Sequence, residues 1–262
     1  MNGAAKLSVV SFSLIYLLLL VVLFIMRRAK VDKTRLLIIA SVRMTVQMVL
    51  VGFILQYILG NPHPVFVILF LASMVAFSIH RALAKHRDLN RRFKLYVAGA
   101  LSLSGLTVLA YFVCAVVGKS FFDAQFTIPL AGMIIGNSMT GVSLALKTFT
   151  EGVDGGRKQI EALLNLGVPP REILHPFLST ALETALLPTI NSMLGLGIIF
   201  LPGMMTGQIL SGTLPTTAIM YQIAVIIANC TSVCLTTFFS LSLGYRTMYN
   251  GRNQYIGYRK EQ

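Results

Sequence analysis

The sequence predicts an all-α, polytopic membrane helical bundle of about seven transmembrane helices, with the N-terminus outside and the C-terminus cytoplasmic. Three observations carry this expectation. Apolar runs of about twenty residues, enough for a helix to cross a bilayer, recur along the whole 262-residue chain. Only 12% of residues are charged, about half the share in a soluble domain. The basic residues are also one-sided. With seven spans, nineteen of the twenty-two Lys and Arg fall in the loops after spans one, three and five and in the tail, against Lys6 and Lys119 on the other side. The positive-inside rule then makes the basic side cytoplasmic.

The first span, Leu7 to Met26, is long for a secretory signal and is followed by Arg27-Arg28 without a small-residue cleavage pattern, so it reads as a retained anchor. The second, Leu36 to Leu59, carries Arg43, Gln47 and Gln56 and ends at the tight turn Gly60-Asn61-Pro62-His63-Pro64. The third, Val65 to about Ile79, is short and extends into His80–Leu83, with the Arg81 stem snorkelling. Leu95 to Val117 is the fourth. The fifth, Phe126 to Leu146, holds Pro129, Gly132, Gly136, Asn137 and Gly141, and its Gly132/Gly136 spacing suits close helix packing. The sixth, Leu182 to Leu201, contains Glu183, Pro188 and Asn191. Pro202 to Pro215 reads either as a surface turn or as a broken, re-entrant segment. The last span runs from Thr216 to about Leu243, followed by a basic tail.

The longest polar interval is Glu151 to Thr180, cytoplasmic by the charge rule. Inside it, Lys158 to Leu166 has helical spacing with Ile160, Leu163, Leu164 and Leu166 apolar. Gly167 stops that helix, and Val168-Pro169-Pro170 forces a turn before a second short helix from Arg171. A short helix, a break and another short helix make a shaped knob at the membrane surface, suited to docking a partner; an ordinary connecting loop is the plainer reading.

Polar groups inside apolar spans require an account. An arginine in hydrocarbon costs about 2.5–3.5 kcal/mol on insertion scales; snorkelling relieves Arg43 in part, and the simplest account is a partner, either Glu183 or a backbone carbonyl. Gln47, Asn137, Glu183, Asn191, Gln208, Gln222 and Asn229 either line a polar path or act as glue between helices. Met193, Met204, Met205 and Met220 concentrate near the outward half of the last two spans, either as soft ligands or as flexible packing. Cys114, Cys230 and Cys234 lie in or near apolar spans and make no disulfide framework. The net charge of +13 is dispersed in bursts between spans, which argues against nucleic acid. No G-x-x-x-x-G-K-[ST] stretch and no Ser/His/carboxylate arrangement is present, so neither an ATPase nor a hydrolase is readable in this chain.

The stretches GMIIGNSMTG (Gly132–Gly141), IEALLNLG (Ile160–Gly167), LLPTINSM (Leu186–Met193), PGMMTGQILSG (Pro202–Gly212) and YQ (Tyr221-Gln222) resemble the permease family typified by the bacterial Fet-type iron exporter and the plant aluminium-tolerance permeases. The resemblance covers nearly the whole chain. It implies one transmembrane permease domain over residues 1–262, in a bacterial cytoplasmic (inner) membrane, working with a separately encoded ABC ATPase. ATP-Mg is expected on that partner and no cofactor on this chain. A second permease copy is implied as well, giving a two-plus-two complex. Iron or another metal ion is the implied cargo, with UDP-glucose the alternative that the plant relatives suggest. The loop also resembles the coupling segment of bacterial ABC importers, which casts residues 151–180 as a coupling segment and Glu161, Ala162, Leu163, Gly167, Pro169 and Pro170 as contacts to the ATPase. Its Ile173-Leu174-His175-Pro176 ending departs from the importer pattern in spacing and in the inserted histidine. The expected translocation path comprises Arg43, Gln47, Asn137, Glu183, Asn191, Met193, Met204, Met205, Gln208, Gln222 and Asn229.

A secondary, ion-coupled transporter and a non-transporting membrane scaffold are the alternatives. Dependence on an ion gradient without an ATPase would mark the first; purely structural roles for the amides and charges would mark the second.

Overall fold

The computed structural model describes residues 9–86, 88–249 and Gly257. Nine α-helices follow one another among these residues: α1 (Val9–Arg28), α2 (Thr34–Gly60), α3 (Pro64–Ala84), α4 (Arg91–Tyr111), α5 (Ala124–Gly155), α6 (Arg157–Asn165), α7 (Pro170–Gly195), α8 (Gly203–Leu210) and α9 (Pro215–Gly244). A π-helical turn, Phe112–Val116, extends α4, and a 3-10 turn, Tyr245–Met248, extends α9. Six elements are long and apolar enough to cross a membrane: α2, α3, α4 with its π turn, α5, α7, and α9 with its 3-10 turn. The fold is thus an all-α, multi-pass membrane bundle. The expected first span is α1 from Val9 onward, its first two residues lying outside the described part.

Helix boundaries follow local chemistry more than hydropathy. Asn90 starts α4 by accepting the Phe93 N–H at 2.7 Å, and Asp123 starts α5 by accepting from Gln125 at 3.1 Å. Pro64, Pro170 and Pro215 each sit at the head of their helix, where a missing N–H costs nothing. The fifth span does not end at Leu146. It continues as helix to Gly155, because Lys147 and Glu151 pair at i,i+4 (3.8 Å) and nothing breaks the backbone. The second short helix expected from Arg171 is likewise no separate piece, since α7 runs unbroken from Pro170 into the sixth span. That span stops at Gly195, not Leu201, where Gly197 turns the chain with φ +81°. The segment from Pro202 to Pro215 contains the eight-residue helix α8, which packs on α9.

The helices share two cores. One, at mid-bundle, joins α3, α4, α5 and α9 through Val67, Leu71, Leu101, Leu109, Ile128, Ile134 and Val225. In hydrocarbon such a core is held by close packing, not by expulsion of water. Gly141 allows that closeness: a Cβ there would lie 2.6 Å from Val233 Cγ1. The Gly132/Gly136 pair does less than its spacing promised, since Gly132 meets only the tip of Met74 and Gly136 opens onto nothing within 4 Å. The other core lies at the end bearing α6 and gathers Phe93, Phe149, Val153, Ile160, Ile173, Leu174 and Met248. Burying each such side chain at a watery end contributes about 1.5–3 kcal/mol. The α1–α2 hairpin stands apart. Tyr16 and Thr45 hydrogen-bond to each other, yet Ile58 is the one buried residue of α2.

Candidate functional site: an open polar face and a sealed polar seam

The central helix of the bundle is α5, which touches α3, α4, α7 and α9. Its buried side carries Ile135, Ser138, Val142 and Phe149. On the other side Pro129, Asn137, Thr140, Lys147 and Glu151, spaced by eight, three, seven and four residues and so on one helix face, remain exposed. Asn137 Nδ2 donates to the Met133 carbonyl at 2.8 Å and Thr140 Oγ1 to that of Gly136 at 3.0 Å. Such back-bonding settles single polar groups on a helix without a second element. The neighbouring α7 has a comparable stripe, Thr180, Glu183, Leu187, Asn191 and Leu194, also exposed. The two helices are in register where Gly141 faces the Ala185 carbonyl. Together they present an open face that is polar at a depth where the lone chain would meet lipid.

Arg43 and Glu183 do not pair within the chain. The Arg43 guanidinium lies over the Phe77 ring of α3, 5.6 Å from its centroid. Ion pairs form instead between close neighbours in sequence, Lys147 with Glu151 and Arg157 with Glu161. The expected pair fails because α2 packs on α1 and α5, whereas α7 packs on α5, α6 and α9 and turns Glu183 outward. Gln47 is exposed on α2 beside Arg43.

Behind α5 the polar groups are sealed. Gln222, Asn229 and Thr236 of α9 are 5%, 4% and 0% exposed and fall seven residues apart, on one face. Ser232, Thr237 and Ser240 are buried with them. Gln222 and Ser240 are separated by about 27 Å along the axis at about 1.5 Å per residue. Across the seam Ser138 and Ser232 share a hydrogen bond of 2.7 Å. The side-chain oxygens of Gln208, Tyr221, Gln222, Asn229, Thr236, Thr237 and Ser240 are buried without a hydrogen-bond partner. Sequence reasoning found Gln222 and Asn229 but missed Ser138, Ser232, Thr236, Thr237 and Ser240. The seven-residue spacing from Gln222 through Asn229 to Thr236 was the signal that could have found them.

The single expected path is therefore divided. Arg43, Gln47, Asn137, Glu183 and Asn191 lie on exposed faces, whereas Gln222 and Asn229 lie in the seam. Of the methionines, Met205 is buried and Met193 and Met204 are half-buried, while Met220 is exposed. Among the described residues no three His, Cys, Asp or Glu side chains gather as a metal site.

At the other end, α6 forms a knob with a fixed base and a free crown. Ile160 is fully buried in the core that holds Phe149 and Leu174. Arg157 Nε donates to Glu161 Oε1 at 2.9 Å. Glu161, Ala162 and Pro169 are exposed, and Leu166 is 79% exposed; Leu163 and Pro170 are half-buried. Gly167 adopts φ +82°, and its N–H and that of Val168 close the helix on Leu164 and Leu163.

These features define a multi-pass, all-α membrane protein with an open polar face, a sealed polar seam and a surface helix. The chain belongs to the Uncharacterised protein family (UPF0014), which matches residues 9–249. It is 32% identical over 251 residues to the "Probable iron export permease protein FetB" of Escherichia coli (strain K12), covering 94% of each chain. Over 245 residues it is 29% identical to the "UPF0014 membrane protein YjkA" of Bacillus subtilis (strain 168), covering 93% of this chain and 96% of that one. It is also 33% identical over 183 residues to the "Protein ALUMINUM SENSITIVE 3" of Arabidopsis thaliana, covering 70% of this chain and 66% of the relative. No solved structure matches.

Proposed function

We propose that this chain is the transmembrane permease subunit of an ATP-driven ABC exporter, with iron or another metal ion as cargo and UDP-glucose as the alternative. The observation that carries the reading is the α6 knob. An exposed Leu166 beside Glu161 and Ala162 offers a crown for a partner, while Ile160 locks its base to α5 and α7. Force applied to the crown reaches both helices of the open polar face. The ATPase, with its ATP-Mg, is a separate chain. Two permease copies, related by a two-fold axis, stand on two ATPases. Residues 1–262 act as one permease domain, with 151–180 as coupling segment. The chain crosses the bacterial inner membrane seven times counting α1, N-terminus out and α6 in the cytoplasm, in agreement with its basic loops. The open face supplies oxygen donors from Asn137, Thr140, Glu183 and Asn191, a set suited to a divalent ion held weakly enough to be released.

The test is transport of labelled Fe(II), other divalent metals and UDP-glucose into inverted vesicles, with and without the co-expressed ATPase. ATP-dependent uptake of one cargo is expected. Full uptake without ATP, driven by an ion gradient, would overturn the reading.

A further inference from the structure

Glu183, near the start of its apolar run, is the one acidic residue, and Arg43 the one basic residue, within the apolar part of a spanning helix; the other eight Asp and Glu lie at helix ends, in the short helix α6, in loops or in the tail. Both are exposed on the single chain, and neither has an ion-pair partner within it among the described residues. A charge left in hydrocarbon costs about 2.5–3.5 kcal/mol; within the chain Arg43 meets the Phe77 ring but no carboxylate, and Glu183 meets no cation among the described residues, so both are open to a partner outside the chain. Their depths are compatible. Tyr57 of α2 stacks on Phe66 of α3, and fourteen residues back along α2 sets Arg43 level with His80, about 1.5 Å per residue. Gly132 meets Met74, which puts His80 level with Ser138 of α5. Gly141 meets Ala185, which puts Glu183 level with Ser143. The two α carbons thus differ in depth by about 8 Å, a gap that two long side chains close together.

We propose that Arg43 pairs with Glu183 of a second copy of this chain, and Glu183 with that copy's Arg43, so that the open face of each protomer is completed by the other's α2. A two-fold axis along the membrane normal preserves depth and makes both pairs at once. The loosely attached α1–α2 hairpin, with one buried residue in α2, has its outer surface free for such a contact. This assignment rests on the paired-permease reading above and adds the contact that selects the arrangement.

The test uses differently tagged full-length chains, co-expressed with the ATPase, after Cys114, Cys230 and Cys234 are replaced by Ala. Arg43→Glu and Glu183→Arg each place like charges opposite one another in a homodimer. A mixed dimer of an R43E copy and an E183R copy restores opposite charges at both contacts. Expected is that each variant recovers its own kind about tenfold less than wild type, the equivalent of about 1.4 kcal/mol, while the mixed pair recovers at wild-type level. A chain carrying both changes should also self-associate normally, which shows that neither change prevents insertion. Failure of the mixed pair to exceed either single variant would overturn the assignment. Should wild-type copies not recover one another at all, the paired-permease reading itself would fall; should they do so without charge preference, only the ion pair would.

Discussion

The hydroxyls of Ser138 and Ser232 meet at 2.7 Å in the centre of the bundle, joining α5 to α9 where both residues are fully buried. Ser138→Ala leaves Ser232 without its cross-helix partner, and the reverse change does the same to Ser138. Each single change should lower stability by about 1 kcal/mol, the usual scale for hydrogen bonds between membrane helices. The double change should cost less than the sum, because no orphaned hydroxyl remains. Thermal unfolding of purified protein in detergent measures both.

Gly141 lets the same two helices approach closely. Gly141→Ala puts a methyl 2.6 Å from Val233 Cγ1 and should cost about 1–3 kcal/mol by overpacking. Adding Val233→Ala should recover most of that loss in the same unfolding assay. No recovery would mean that the contact does not set the helix spacing.

The α6 crown gives a prediction about coupling. Glu161→Arg breaks the Arg157 contact and reverses the exposed charge, yet leaves Ile160 in its core. Insertion and thermal stability should stay near wild type, while substrate-stimulated ATP hydrolysis by the partner chain should fall about tenfold or more, the scale of about 1.4 kcal/mol at the interface. Gly167→Val forces a β-branched residue to φ +82° and should cost about 1–2 kcal/mol locally, with the same loss of stimulation. Unchanged stimulation in both variants would remove α6 from the coupling role.

His86, in the turn between α3 and α4, carries a pH dependence. Burial lowers its pKa below 6.5, aided by the nearby Lys85 charge and partly offset by a hydrogen bond to the Ser143 backbone. Below pH 6.5 the unfolded chain binds a proton that the folded chain resists, so stability declines as the pH falls from 6.5 toward the lower folded value. Above 6.5 the contribution is flat. Melting temperature recorded across this window should show the decline, and His86→Phe should flatten it.

Much of the bundle was legible because hydropathy reports which residues tolerate lipid. Hydropathy says less about where a helix ends. Lys147–Glu151 continue α5 as a polar helix past Leu146, and Pro170 starts α7 twelve residues before the apolar run begins at Leu182. The knob was readable at α6 because Gly167 and the following prolines allow few other conformations. The path was only half readable. Gln222 and Asn229 share a buried face with hydroxyls whose small polarity does not register in an apolar window, while Asn137 and Glu183, equally polar, face outward. Sequence marks a polar group as costly in lipid; the packing of α5 against its neighbours decides which side covers it.

The two arms that hold α6 differ in stiffness. In α5, Pro129 lies near the far end, so the rod from Gly132 to Gly155 keeps its ladder of hydrogen bonds. In α7, Pro176 and Pro188 each remove a rung, and the hydroxyls of Thr180 and Ser192 turn back onto the carbonyls of those same prolines at 3.0 and 2.9 Å. A shaft with two universal joints beside a solid one does not merely translate when its foot is shifted: the middle section pivots. That middle section, residues 177–187, holds Glu183, so under the coupling proposed above a small displacement of α6 would become a swing of the carboxylate across the open face.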